Sequence, residues 1–285
     1  MTSTQTPETA ERRKKLMIGG GIAVVALAVL GFLVYWFVFR DDAPAAVDST
    51  EAAEARQEAL AEAQAEEPEA EEPASEEPGS ELVVEEEPAA EADGDISGVW
   101  NVDTSIGTFD ELCLTEVCDA TFVGFRIDEE LASIGAKTVV GRTPGVSGTM
   151  TIDGTTITGT DILVDMTGLI TDDGARNNAI RNQAIETASF PEASFVLTQP
   201  IELGSVPGPG EQVQVEATGD LTIHGVTRTE TIPLTAELAG DIIVVFGQLG
   251  PILLADYDIS EPRAAVVLSV EDNAIMELQL FLRRG

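Results

Sequence analysis

The sequence predicts an all-β domain, an antiparallel barrel with one short helix, preceded by a single transmembrane helix and a disordered acidic linker. Three observations carry this. From about Ile96 onward, short runs of alternating apolar and polar residues are separated by turn residues every 8–14 positions, as in sandwiches and barrels. Residues 16–39 contain no charged side chain. Residues 41–95 hold 21 acidic residues against Arg56 as the single base.

The N-terminal region divides by charge. Residues 1–15 carry Arg12, Arg13, Lys14 and Lys15 directly before the apolar run, whereas Arg40 after it is answered at once by Asp41 and Asp42. About 20 apolar residues span the hydrocarbon core at ~1.5 Å each, so residues 16–39 are long enough to cross. The flanking bases put residues 1–15 in the cytoplasm and everything after Arg40 outside the cell membrane, a single-pass topology. Tyr35, Trp36 and Phe37 fall at the outer end, where aromatic rings favour the interface. A cleaved signal peptide is the rival reading, since Ala43-Pro44-Ala45 resembles an A-x-A site. The run is longer than the ~7–15 residues of a signal h-region, which favours an uncleaved anchor.

Residues 40–95 read as a linker rich in Glu, Ala and Pro. Its few large apolar residues, Leu60, Leu82, Val83 and Val84, bury too little surface to offset the entropy of ordering, so disorder is expected. Ala and Glu make the proline-poor part, residues 51–67, a candidate for transient helix. A flexible coil of this length reaches ~40 Å, and repulsion between like charges extends this one further.

Residues 96–285 form the folded domain. Val213, Val215, Ala217, Leu221 and Ile223 occupy odd positions of one run; Ile232, Leu234, Ala236 and Leu238 alternate in the next; Met276, Leu278, Leu280 and Leu282 alternate near the end. One face of each strand is thus buried and the other wet. Further strands are expected near 121–128, 146–153, 155–166, 193–201, 241–247, 252–258 and 264–271. Asp172-Asp173 can cap a helix over 174–186, with Ala175, Ala179, Ile180 and Ala184 on one face. One short helix among antiparallel strands suggests a plug lying across a barrel, and about eight strands enclose room for one slender ligand.

Chemistry-bearing motifs are absent. The net charge of −36 repels phosphate backbones, which excludes nucleic acid as a partner. Cys113 and Cys118 are the only cysteines, and outside the cytoplasm two so close pair as a disulfide by default. Two thiols and one histidine make a poor zinc set, so no metal is expected. His224, the single histidine, sits where a strand enters a tight turn, with no nucleophile elbow beside it. No phosphate-binding or dinucleotide glycine pattern is present, so neither a cofactor nor enzymatic activity is expected.

The segment Leu221-Thr222-Ile223-His224-Gly225-Val226-Thr227 resembles the late-barrel signature of the YceI-like family, polyisoprenoid-binding proteins with a lipocalin-like barrel. Residues 147–154 (SGTMTIDG), 162–180 (ILVDMTGLITDDGARNNAI) and 188–201 (ASFPEASFVLTQPI) are similar to further segments of that family, in the same order. The resemblance covers about residues 98–283. The chain departs from the family's usual helix, which follows Arg-Asp with a histidine, because Arg176 is followed here by Asn177 and Asn178.

The resemblance implies binding rather than reaction, with an isoprenoid lipid of quinone or polyprenyl type in the lumen and each buried methylene contributing ~0.8 kcal/mol. Lumen candidates are Phe122, Met150, Ile152, Val164, Met166, Phe195, Val215, Leu221, Ile232, Leu234, Leu278 and Leu280, with Arg176 and His224 as polar groups near the mouth. A one-residue register shift would exchange the two faces of any strand. The alternative is a cell-envelope interaction module whose barrel is packed solid; for either, the protein partner is not legible in the sequence.

Overall fold

The computed structural model describes residues 43–65, 95–131, 135–262 and 267–285. The strands among them are β1 (Gly98–Val102), β2 (Phe122–Leu131), β3 (Gly135–Thr143), β4 (Val146–Asp153), β5 (Thr156–Asp165), β6 (Ile170–Thr171), β7 (Glu192–Leu197), β8 (Ile201–Glu202), β9 (Gln212–Ile223), β10 (Val226–Ala239), β11 (Ile242–Ile252), β12 (Val267–Val270) and β13 (Ala274–Arg284). Eight of these close a ring in the order β1-β4-β5-β7-β9-β10-β11-β13, and β13 pairs back to β1. All pairings in the ring are antiparallel, and closure leaves it no open edge. β13 is long enough to hold β1 through Leu282–Arg284 and β2 through Ile275–Gln279 on the same flank; β2 in turn carries β3 and β6.

The alternating runs become the walls. Val215, Ala217 and Leu221 on β9, Ile232 and Leu234 on β10, and Leu278 and Leu280 on β13 all point inward. The turn between β9 and β10 is two residues, His224 and Gly225, both with positive φ (52° and 74°). That backbone twist matches two paired strands, and glycine and histidine tolerate it better than most residues. The turn explains the central part of the Ile-His-Gly-Val pattern.

The N-terminal part of the acidic stretch corrects the expectation of a disordered linker. Residues 50–65 form helix α1 (Thr50–Ala65), capped by Ser49, whose hydroxyl accepts from Ala52 N at 3.2 Å. Ala52, Arg56, Ala59 and Leu60 are buried on one side of it. Ala59 and Leu60 pack with Ile106, Ile242, Val244, Phe246 and Phe281 on the outside of β11 and β13. Burying Leu60 alone is worth ~2 kcal/mol. The tertiary contact therefore orders a helix that its composition alone leaves marginal. Residues 16–39 and 66–94 lie outside the described residues; among the described residues no helix is long and apolar enough to cross a membrane.

The outer face of β13 is also not wet. Glu277 and Gln279 are completely buried. Arg126 Nε donates to Glu277 Oε2 at 2.8 Å, and Arg142 Nε donates to Oε1 at 2.8 Å. Gln279 donates to the carbonyls of Cys118 and Ala120 at 3.0 and 2.9 Å and accepts from Arg56 Nη1 at 3.1 Å. Every polar atom in this layer needs such a partner because water is excluded. Cys113 and Cys118 are joined as expected, and their loop covers Phe122 beside Val47 and Ala120.

Three strand expectations change. β11 ends at Ile252, and residues 254–257 turn as a short 3-10 helix instead of extending a strand to 258. β1 and β3 were not among the expected strands. The predicted helix is present but shorter: α2 (Gly174–Ala179) passes into a wide turn over Ile180–Ala184, closed by Ile185 N donating to Ile180 O at 2.8 Å.

Candidate functional site

An apolar cavity of about 290 Å³ occupies the barrel interior. The side chains do not meet at the axis, so the barrel is not packed solid. Met150 and Ile152 on β4, Val164 on β5 and Phe195 on β7 line one side; Val215 and Leu221 on β9, with Ile232 and Leu234 on β10, line the next; Leu278 and Leu280 on β13 complete the wall. Met166, just after β5, and Arg176, on α2, lie at one end. Sequence reasoning thus places these side chains around one space. It missed Ile243 and Val245, which belong to the run Ile242-Ile243-Val244-Val245-Phe246. Both faces of β11 are covered there, so no alternation marks the inner one.

Two candidates lie elsewhere. Phe122 is on the outer face, under the ring-stacked guanidinium of Arg142 at 4.2 Å, while its neighbour Val123 faces the cavity. This is a one-residue register error, and it exchanges faces. His224 is buried outside the cavity: its Nδ1 donates to the carbonyl of Tyr257 at 3.2 Å, Nε2 lies 3.2 Å from Glu186 Oε2, and its ring packs on Phe190 at 4.2 Å. Its role is to join the β9–β10 turn to the loops beside it.

Polar groups are few and sit mainly at the ends. α2 closes the first end. Asp173 caps it by accepting from Arg176 N at 2.8 Å, and this bond holds the Asp173 carboxyl below the ordinary carboxylate range. Ile180 and Ala184 face the cavity behind Arg176. The Arg176 guanidinium bridges Glu129 Oε1 at 2.6 Å and Asp172 Oδ1 at 2.5 Å. Both Arg176 and Glu129 line the cavity, so this end presents an ion pair. Glu237 marks the other end, near the β10–β11 turn. Midway, the buried Thr160 hydroxyl has no hydrogen-bond partner among the described residues. Glu129, Glu237 and Thr160 were not singled out in the sequence, where acidic and hydroxyl residues are too common to select them. Among the described residues no cluster of His, Cys, Asp or Glu is arranged to hold a metal ion.

A closed antiparallel barrel around an apolar cavity defines a lipocalin-like architecture. Within that class, the YceI-like domain family matches residues 117–281, more than half of the chain, and the chain belongs to that family. It is similar to the UPF0312 protein VPA0850 of Vibrio parahaemolyticus, 30% identical over 127 residues, 44% of this chain and 62% of that protein's length. Among solved structures it is similar to a polyisoprenoid binding domain from Saccharophagus degradans, with 18% identity, a TM-score of 0.49, and coverage of 66% of this chain and 99% of that one. It is also similar to BcnA of Burkholderia cenocepacia, with 18% identity, a TM-score of 0.43, and coverage of 56% and 95%.

Proposed function

We propose that this chain is a membrane-anchored, extracytoplasmic binder of an isoprenoid lipid, of quinone or polyprenyl type, which it carries or stores in the barrel lumen. The observation that carries the reading is the cavity of about 290 Å³ with a nearly wholly apolar lining. An apolar chain that enters this space is withdrawn from water, at ~0.8 kcal/mol per buried methylene.

The ends define how such a ligand lies. A tail fills the apolar middle, and a carbonyl or hydroxyl head group meets the Arg176–Glu129 pair. Thr160 offers a hydroxyl to a polar atom part-way along. The uncharged residues 16–39 and their basic N-terminal flank support anchoring in the membrane that supplies the lipid.

The test uses the full chain extracted in detergent beside its Ala217→Phe variant, which fills the cavity from the β9 wall. Lipids bound around an anchor are common to both. The expected result is an isoprenoid lipid in the mass spectrum of the natural chain that is lost from the variant. Identical lipid content in the two would count against the reading.

A further inference from the structure

The course of residues 43–65 over the barrel gives the chain a direction. Arg126 donates to the carbonyl of Pro44 and, at 3.1 Å, to that of Ala45. Arg126 lies opposite Ile275 on β13, one residue from the Ile252–Ala274 pair. This is the end of the barrel where Leu254 and Ile259 line the cavity and where Leu253 is 44% exposed. The segment then passes Gln279, where Arg56 donates to Val47 O at 2.7 Å and to Gln279 at 3.1 Å. It finishes at the opposite end, where Gln64 donates to Ala239 O at 3.2 Å.

Asp95 and Ser97 also lie at that opposite end. Arg284 donates to Asp95 O, and Ser97 accepts from Gly154 N, in the β4–β5 turn, at 2.9 Å. Gln64 and Asp95, on either side of residues 66–94, therefore lie at one end of the barrel. Pro44 and Ala45 lie at the other.

We propose that residues 43–65 are a rigid mount that holds the Leu253 end of the barrel toward the bilayer surface. The inference rests on the reading of residues 16–39 as membrane-spanning. From Phe39 to Ala43 is four peptide steps, at most ~14 Å at ~3.5 Å each. Strands of 12 residues at ~3.3 Å per residue are ~40 Å long, so a short link discriminates between the two ends. The acidic stretch is then not a tether between barrel and membrane. The rim near Leu253 carries Asp256, Asp258 and Asp272 as well, so charge does not attract this end to an anionic surface. The covalent link holds it there, and an apolar chain leaving the bilayer meets Leu254 and Ile259 first.

The experiment uses the full chain in phosphatidylcholine vesicles containing a lipid with a nickel-chelate head group. A fluorophore is attached at Leu253→Cys or at Asp153→Cys, in the β4–β5 turn; the native cysteines are paired and do not react. Ala255→Cys provides a second site at the near end. The expected result is quenching several-fold stronger at 253 and 255 than at 153, unchanged by added salt. The contrast should collapse when Arg56→Ala and Leu60→Asp together undock α1. Equal quenching at both ends, with the chain still sedimenting with the vesicles, overturns the mount and leaves the anchor standing. A chain that stays in the supernatant overturns the anchor reading and the mount with it.

Discussion

Arg56 on α1 donates to Gln279 on β13 across 3.1 Å, and its guanidinium stacks on Phe246 at 3.7 Å. Burial, offset in part by Glu237 and Asp48, lowers its pKa to about 10, so at neutral pH it is a buried cation held by directed contacts. Replacing it with alanine strands the Val47 carbonyl and the Gln279 oxygen without this donor. Hydrogen bonds to charged groups are worth ~1.5–3 kcal/mol each. The expected outcome for Arg56→Ala is a loss of ~2–4 kcal/mol in denaturant unfolding, with new protease cleavage inside residues 43–65. Cleavage confined to other regions would show that α1 is held by something else.

Glu277 balances two guanidinium groups, that of the buried Arg142 and that of the partly buried Arg126. The pull of Glu277 only partly offsets burial, which lowers the Arg142 pKa. Removing the acid leaves uncompensated cations, which typically costs ~3–5 kcal/mol. Glu277→Gln keeps the shape and loses the charge, so its unfolding free energy from urea titration should fall by that order. An unfolding free energy within ~0.5 kcal/mol of the natural chain, the usual range for a neutral surface change, would deny the network this role.

How much was legible follows from the same residues. β9, β10 and the inner face of β13 stood out because each has one wall against the cavity and an alternating pattern to show it. α1 has a helical stripe, Ala52, Arg56, Ala59, Leu60 and Ala63, at spacings of four, three, one and three. The stripe is three alanines, an arginine and a single leucine, so hydropathy reads it as a solvated spacer. Glu277 and Gln279 read as wet for the same reason: nothing local tells a strand that an N-terminal segment will cover it. Phe122 lies on β2, where Phe122-Val123-Gly124-Phe125 is apolar on both faces and the register is underdetermined.

The α2 cap should titrate. The Arg176 N–H holds the Asp173 carboxyl below its ordinary value of 3.8. A carboxyl depressed in the folded state stabilises at any pH above its unfolded value and loses that contribution as pH falls through the folded one. Amide exchange at Arg176 and Asn177 should therefore be slow at neutral pH and rise as pH drops below 3.8, after correction for intrinsic rates. Asp173→Ala, worth ~1 kcal/mol as a cap, should show the fast exchange at every pH.

The Cys113–Cys118 disulfide closes a loop of short span, so reduction should remove only ~2 kcal/mol. The folded chain should show no free thiol until reductant is added, measured by thiol titration. Reduction should loosen the cover of Phe122 before it affects the cavity, because Phe122 and the loop lie outside the wall.

The most direct measurement is saturable uptake of an isotope-labelled isoprenoid lipid by the full chain in detergent, compared with Ala217→Phe. The cavity wall at Ala217 should accept the larger side chain with little change in unfolding midpoint, so the variant tests space rather than folding. Saturation is expected near one lipid per chain, with affinity reduced at least tenfold by the substitution, a difference of ~1.4 kcal/mol. Equal uptake by the two proteins, or none by the natural chain, would contradict it.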